Sequence, residues 1–149
     1  MRLHTVEEMA IFKTMKQFVL LLGLFLSPVL AQAQLRDLSK LQPAADYENL
    51  YVQPIAQDSL CSSVMIWIKE GVKAHYHAEH SEQVYILSGT AEMSLGEEQF
   101  VVKAGDYVFI PMGVIHAVAV TSAEPLQVLS MQAPHFDGSD RVWVEDIDK

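Results

Sequence analysis

The chain has 149 residues, half of them hydrophobic, which suits one domain around a single core and excludes a disordered chain. Its formal net charge is −9 with no cluster of lysine or arginine, which excludes a basic nucleic-acid or anionic-membrane surface; the acidity serves solubility. The single cysteine, Cys61, can form no intramolecular disulfide, and with no cationic neighbour in sequence it is read as a packed core thiol.

The first element in chain order is an address. MKQFVLLLGLFLSPVLAQAQ begins at Met15, with Lys16 as a positive flank, an apolar run from Phe18 to Leu26 broken by Ser27 and Pro28, and a small-x-small site at Ala31-Gln32-Ala33. This pattern predicts a secretory signal peptide over residues 1–33, with cleavage expected after Ala33 and the product expected in a periplasm or outside the cell with no membrane anchor; an uncleaved amphipathic N-terminal helix is the alternative. The run is shorter than the roughly 20 residues a transmembrane helix needs. Glu7 and Glu8 suit a positive leader poorly, so Met15 is the expected true start.

Residues 34–49 are polar with scattered Leu and Ala and read as an arm or short helix. After them come short β-type runs: 50–56, 61–69, 72–77, 83–88, 90–96, 98–103, 106–111, 114–120 and 126–134. They are rich in Val, Ile, Phe and Tyr and separated by Gly, Pro, Ser or Asp turns, with Gly89, Gly96, Gly105 and Gly113 at boundaries. Many short strands at close spacing predict an all-β sandwich or small barrel. Met65, Trp67, Tyr85, Met93, Phe109 and Met131 are expected in its core. The acidic segment 135–149 is expected to add an edge strand at 141–144.

Three of the six histidines fall within GVKAHYHAEHSEQVYILSG, residues 71–89. On a strand, His75 and His77 share a face. A turn within 78–81 would bring Glu82 back to them, and His116 lies on a separate strand after a Pro-Met-Gly turn. One divalent cation, held by imidazoles and a carboxylate, explains all four positions; such donors suit iron, nickel, copper, zinc or manganese. Taken alone, H-x-H on a strand also fits two half-buried histidines with no ligand. His80, in the presumed turn, is read as exposed or as a neighbour of the ligands, and His135 as surface.

The two strings His75-Tyr-His77-x4-Glu82-x6-Gly89 and Gly105-x5-Pro111-Met-Gly113-x2-His116 resemble the two motifs of the cupin superfamily, as found in small single-domain bacterial cupins. The resemblance implies a double-stranded β-helix, a small jelly-roll β-barrel over residues 50–134, with His75, His77, Glu82 and His116 holding one metal. It also implies a homodimer, the arm around 35–55 crossing to a partner. Two positions depart from the pattern: Lys69 stands where the first motif usually opens with Gly, with Gly71 two residues on, and Val120 where the second often ends in Asn. Gly89 and Gly113 are expected at turns with positive φ.

Many cupins are dioxygenases, isomerases, decarboxylases or lyases. The resemblance implies a metal-dependent enzyme of that kind, dioxygenase-like, acting on a small molecule, with Glu82 able to double as general base. The alternative is a cupin that binds a metal or small ligand without turnover, since no acid or base beyond the four ligands stands out. A structural cupin with no metal is a third reading, against which the complete four-residue set argues.

Overall fold

The computed structural model describes residues 35–144; the signal-peptide reading of residues 1–33 lies outside them, as does the chain beyond Val144. Among the described residues, no helix is long and apolar enough to cross a membrane. The segment ahead of Gln42, taken by itself, holds one 3-10 turn, Leu38–Lys40, capped where the Asp37 carboxylate accepts from the Ser39 amide at 3.2 Å.

From Gln42 onward the β-type runs become strands close to their expected bounds. They are β1 (Leu50–Gln57), β2 (Ser62–Ile68), β3 (Gly71–His77), β4 (Ser81–Ser88), β5 (Thr90–Leu95), β6 (Glu98–Lys103), β7 (Tyr107–Ile110), β8 (His116–Val120), β9 (Leu126–Ala133) and β10 (Arg141–Trp143). They form two five-stranded sheets, in the orders β1-β2-β9-β4-β7 and β10-β3-β8-β5-β6, with every pairing antiparallel. The expected edge strand is β10, paired to β3.

Period-2 alternation decides which side chains meet between the sheets. Val84 and Ile86 of β4, Val108 and Ile110 of β7, and Leu126 and Val128 of β9 turn inward from the first sheet; Ala91, Met93 and Val102 belong to the same core from the second. Burying a side chain such as Ile86 or Ile110 contributes about 1.5–3 kcal/mol. The same inward rows turn polar further along the strands: Glu82 on β4, Ser130 and Gln132 on β9, His75 and His77 on β3, His116 on β8, all buried. The interior is thus divided along the strand direction into an apolar part and a polar part, the latter carrying the ligand candidates.

Three core expectations are corrected. Tyr85 and Phe109 are 40% and 51% exposed, because Val84, Ile86, Val108 and Ile110 take the inward positions of the same strands and leave the intervening residues outside. Cys61 is exposed, because β2 starts only at Ser62 and the thiol sits in a turn whose amides are held by Asp58. Met65, Trp67 and Met93 are buried as expected, and Met131 is half-buried.

Gly89 and Gly113 have φ of +83° and +78°, the left-handed region that glycine enters without a Cβ clash. Gly71 is required for a different reason: a Cβ there would stand 2.3 Å from the Val118 carbonyl oxygen on β8. The close approach of β3 to β8, the two strands bearing the histidines, therefore depends on a bare Cα two residues beyond Lys69.

Candidate metal centre

The shared face expected for His75 and His77 is the inner one, and both rings are enclosed, at 4% and 2% exposure. His116 opens β8 directly opposite His75 in the β3–β8 register, and their ring centroids lie 4.1 Å apart. The Pro-Met-Gly turn is pinned to the same strand, the Gly113 amide donating to the His77 carbonyl at 2.8 Å. Glu82 reaches the imidazoles from β4 in the other sheet. Its Oε2 stands 3.5 Å from His77 Nε2 and 3.5 Å from His116 Nε2. The four residues singled out by their spacing therefore converge.

Their orientations are fixed from behind. Nδ1 of His75 lies 2.8 Å from the Lys73 carbonyl and Nδ1 of His116 lies 3.1 Å from the Val114 carbonyl. A carbonyl can only accept, so each Nδ1 carries its proton and each Nε2 is left with a lone pair for the site. Glu82 Oε1 accepts from the Ser130 hydroxyl and, at 3.3 Å, from Gln132 Nε2, which holds the carboxylate with Oε2 toward the rings.

The electrostatics suit a cation. Burial, then the neighbouring His116, lowers the His75 pKa from 6.5 to about 4 against the lift from the Lys73 carbonyl, and Arg141 and His77 push the same way. The ring is therefore neutral at ordinary pH, the form that ligates. Burial pushes the Glu82 carboxyl up, but the adjacent His116 and His77 rings and the Ser130 hydroxyl outweigh it and hold the group well below 4.5, as a carboxylate. His77 Nε2 and His116 Nε2 are buried with no hydrogen-bond partner. Each such orphan costs on the order of 1–3 kcal/mol, which a shared ligand relieves. One ring nitrogen from each of His75, His77 and His116 lies within 4.8 Å of the others. Three imidazoles and one carboxylate, all enclosed, fit a divalent transition metal.

The loop before β10 and β10 itself complete the surroundings, and sequence reasoning gave them no part in the site. His80 is buried, not exposed: its ring lies 4.0 Å from that of His77, and its Nδ1 is 2.8 Å from Asp140 Oδ2. Of the two alternatives, it stands beside His77, a candidate ligand. Asp140 also accepts from the Glu79 amide at 2.8 Å and places Oδ1 3.7 Å from His77 Nδ1, so one carboxylate clamps the turn at 78–80 and stands behind the His77 ring. His135 is exposed, as expected. The alternation Arg141-x-Trp143 was the available signal that these two side chains share a strand face, but nothing in sequence says which strand they would join.

The site opens into a cavity of about 90 Å³ between the sheets, lined by His75, Glu82, His116 and Arg141 at its polar part and by apolar side chains such as Val84 and Met93 elsewhere. Val118 and Val120, on the His116 strand, pack against the core and make that wall apolar, as the missing Asn foreshadows. A larger concavity, about 680 Å³, lies over Glu70, Lys73, Glu92 and Gln99. It carries no imidazole, and the ligating chemistry belongs to the smaller cavity.

A two-sheet β-barrel with three inward histidines and a glutamate on two spaced motifs defines a cupin, and comparison with known proteins agrees. The cupin-domain family model matches residues 63–132. An uncharacterized protein of Aquifex aeolicus is 32% identical over 114 residues, covering 75% of this chain and 93% of that protein. The chain belongs to the cupin superfamily, as a small cupin-domain protein. The mannose-1-phosphate guanylyltransferase RfbM of Salmonella typhimurium is 33% identical over 79 residues, 52% of this chain but 16% of the enzyme, so that likeness covers a small part of a longer protein. Among solved structures, Pac13 of Streptomyces, a nucleoside dehydratase, superposes with a TM-score of 0.58 at 17% identity, over 66% of this chain and 82% of Pac13. At that identity the likeness is one of fold.

Proposed function

We propose that the protein is an exported, mononuclear metal-dependent cupin enzyme, dioxygenase-like, that acts on a small molecule. The observation that carries the reading is the pair of orphaned Nε2 atoms of His77 and His116, each 3.5 Å from the same Glu82 oxygen in an enclosed interior. His75, His77, Glu82 and His116 would hold the ion. A divalent transition metal held there would supply a Lewis acid or a redox centre. The chain's own residues hold the His75 imidazole neutral, keep Glu82 ionised and surround the reacting end with apolar walls. Glu82 Oε2 is the oxygen placed to take a proton, since Oε1 is engaged by Ser130 and Gln132. Enzymes among the matched proteins, Pac13 above all, which has been captured with uridine, support a small-molecule substrate. Export rests on the signal-peptide pattern, and a homodimer on the resemblance alone; a monomer mass in light scattering would remove the latter.

A second reading, a cupin that binds without turnover, is favoured by the cavity lining, which among the described residues holds no carboxylate other than Glu82. Dioxygen uptake separates the two. The iron-loaded protein, offered phenols and diketones, is expected to consume dioxygen, and His116→Ala to abolish it. Uptake unaffected by His116→Ala, or none with any substrate and metal, favours binding alone.

A further inference from the structure

Arg141 shares the inner face with the imidazoles. In the β10–β3 register it is opposite His77, and Trp143 is opposite His75. Its guanidinium carbon lies 5.5 Å from the Phe136 ring centroid and 5.6 Å from that of Trp143, distances at which a cation is attracted to aromatic rings. The Nε is enclosed and has no hydrogen-bond partner. Among the described residues, no carboxylate comes within the 4.0 Å of an ion pair with it. Yet the side chain lines the same cavity as His75, Glu82 and His116. A guanidinium steadied by two rings, with an enclosed donor left over, is a fork set for a planar oxyanion from outside the protein.

Charge and shape narrow the class. A divalent ion and Arg141 bring three positive charges against one from Glu82 and one from Asp140, which leaves the polar part of the cavity short of an anion. The remaining lining, with Val84, Ile86 and Met93 among it, offers no partner for a polar body. At about 90 Å³ the cavity holds the volume of about three waters, enough for one small group.

We propose, resting on the reading of this cavity as the substrate site, that the protein takes a small carboxylate with an apolar body, its carboxylate paired with Arg141 and its body between Val84, Ile86 and Met93. Arg141 is then the residue that selects an acid over its neutral analogue.

The two tryptophans make this measurable, since the Trp143 ring lies 5.2 Å from the His75 ring and reports on the site. The full chain, both metal-free and zinc-loaded, is titrated by fluorescence with isobutyrate, with the isosteric isobutyramide and with inorganic phosphate. Isobutyrate is expected to bind about tenfold more tightly than the amide, and Arg141→Met to erase the difference. Where Arg141→Met does not fold, Arg141→Lys keeps the charge but loses the fork and is expected to weaken isobutyrate by about threefold or more. Equal binding of acid and amide, tighter binding of phosphate, no response to isobutyrate, or full affinity in a folded Arg141 variant overturns the proposal. The two readings fail separately. A carboxylate preference in the metal-free protein, lost with Arg141, stands whatever the metal content, whereas one equivalent of metal with no such preference removes only the role of Arg141.

Discussion

Asp140 Oδ1 stands 3.7 Å from His77 Nδ1, while Nε2 of the same ring faces Glu82 at 3.5 Å. The ring lies between two carboxylates, one toward the centre and one behind it, contributed by segments far apart in the chain. A carboxylate behind a ligating imidazole fixes the ring and raises its basicity, and loss of such a partner typically costs 10–100-fold in metal affinity. Asp140→Asn is therefore expected to weaken metal binding by about that factor. Competition with a chelator of known affinity measures it. An unchanged dissociation constant would show that Asp140 serves only the turn at 78–80. Because Asp140 also accepts from the Glu79 amide, the melting temperature of the metal-free variant is read alongside, and a fall in affinity without a matching fall in melting temperature assigns the effect to the ring.

Acid should destabilise the metal-free protein in a defined window. His75 has a folded pKa of about 4 against 6.5 for the free side chain. Between those values the unfolded chain binds a proton that the folded ring refuses, so the stability it contributes is fully present above 6.5 and is lost as pH falls toward 4. Glu82 adds a second loss lower down: held well below 4.5 when folded, it contributes above that value and fails as pH falls through its lowered one. Melting temperature against pH for the wild type and His75→Gln tests the first part. The variant profile is expected to be flatter between the two His75 values; parallel profiles contradict the assignment.

Gly71→Ala places a methyl where the Val118 carbonyl stands, 2.3 Å away, and backbone has no rotamer to give. Strands β3 and β8 must part, and with them His75 and His116. A destabilisation of about 1–3 kcal/mol is expected from the overpacking, together with weaker metal binding, because the strain falls between two ligand strands. Denaturant unfolding of the metal-free protein measures the first and chelator competition the second. A stable variant with wild-type affinity would show that the strands part without cost.

Much of this architecture was legible because period-2 alternation and Gly/Pro punctuation are local signals. Strand bounds came within about two residues of expectation, and the paired motifs pointed to His75, His77, Glu82 and His116 before any fold was drawn. The misreadings share one cause. Tyr85, Phe109 and Cys61 are apolar or soft side chains on or beside strands, and hydrophobicity alone does not say which face the sheet buries; their neighbours in register decide that. Asp140 and Arg141 were missed because their role depends on β10 pairing with β3, a contact between segments more than 60 residues apart. An acidic stretch near the end of a chain carries no mark of the strand it will join.

The central claim is that four residues from two sheets hold one metal, and elemental analysis of the untagged protein beside His75→Ala/His77→Ala tests it most directly. About one equivalent of a divalent transition metal in the wild type, and none in the folded double variant, is the predicted result. Stoichiometric metal retained by the double variant, or a wild type that holds none even after reconstitution, would contradict it.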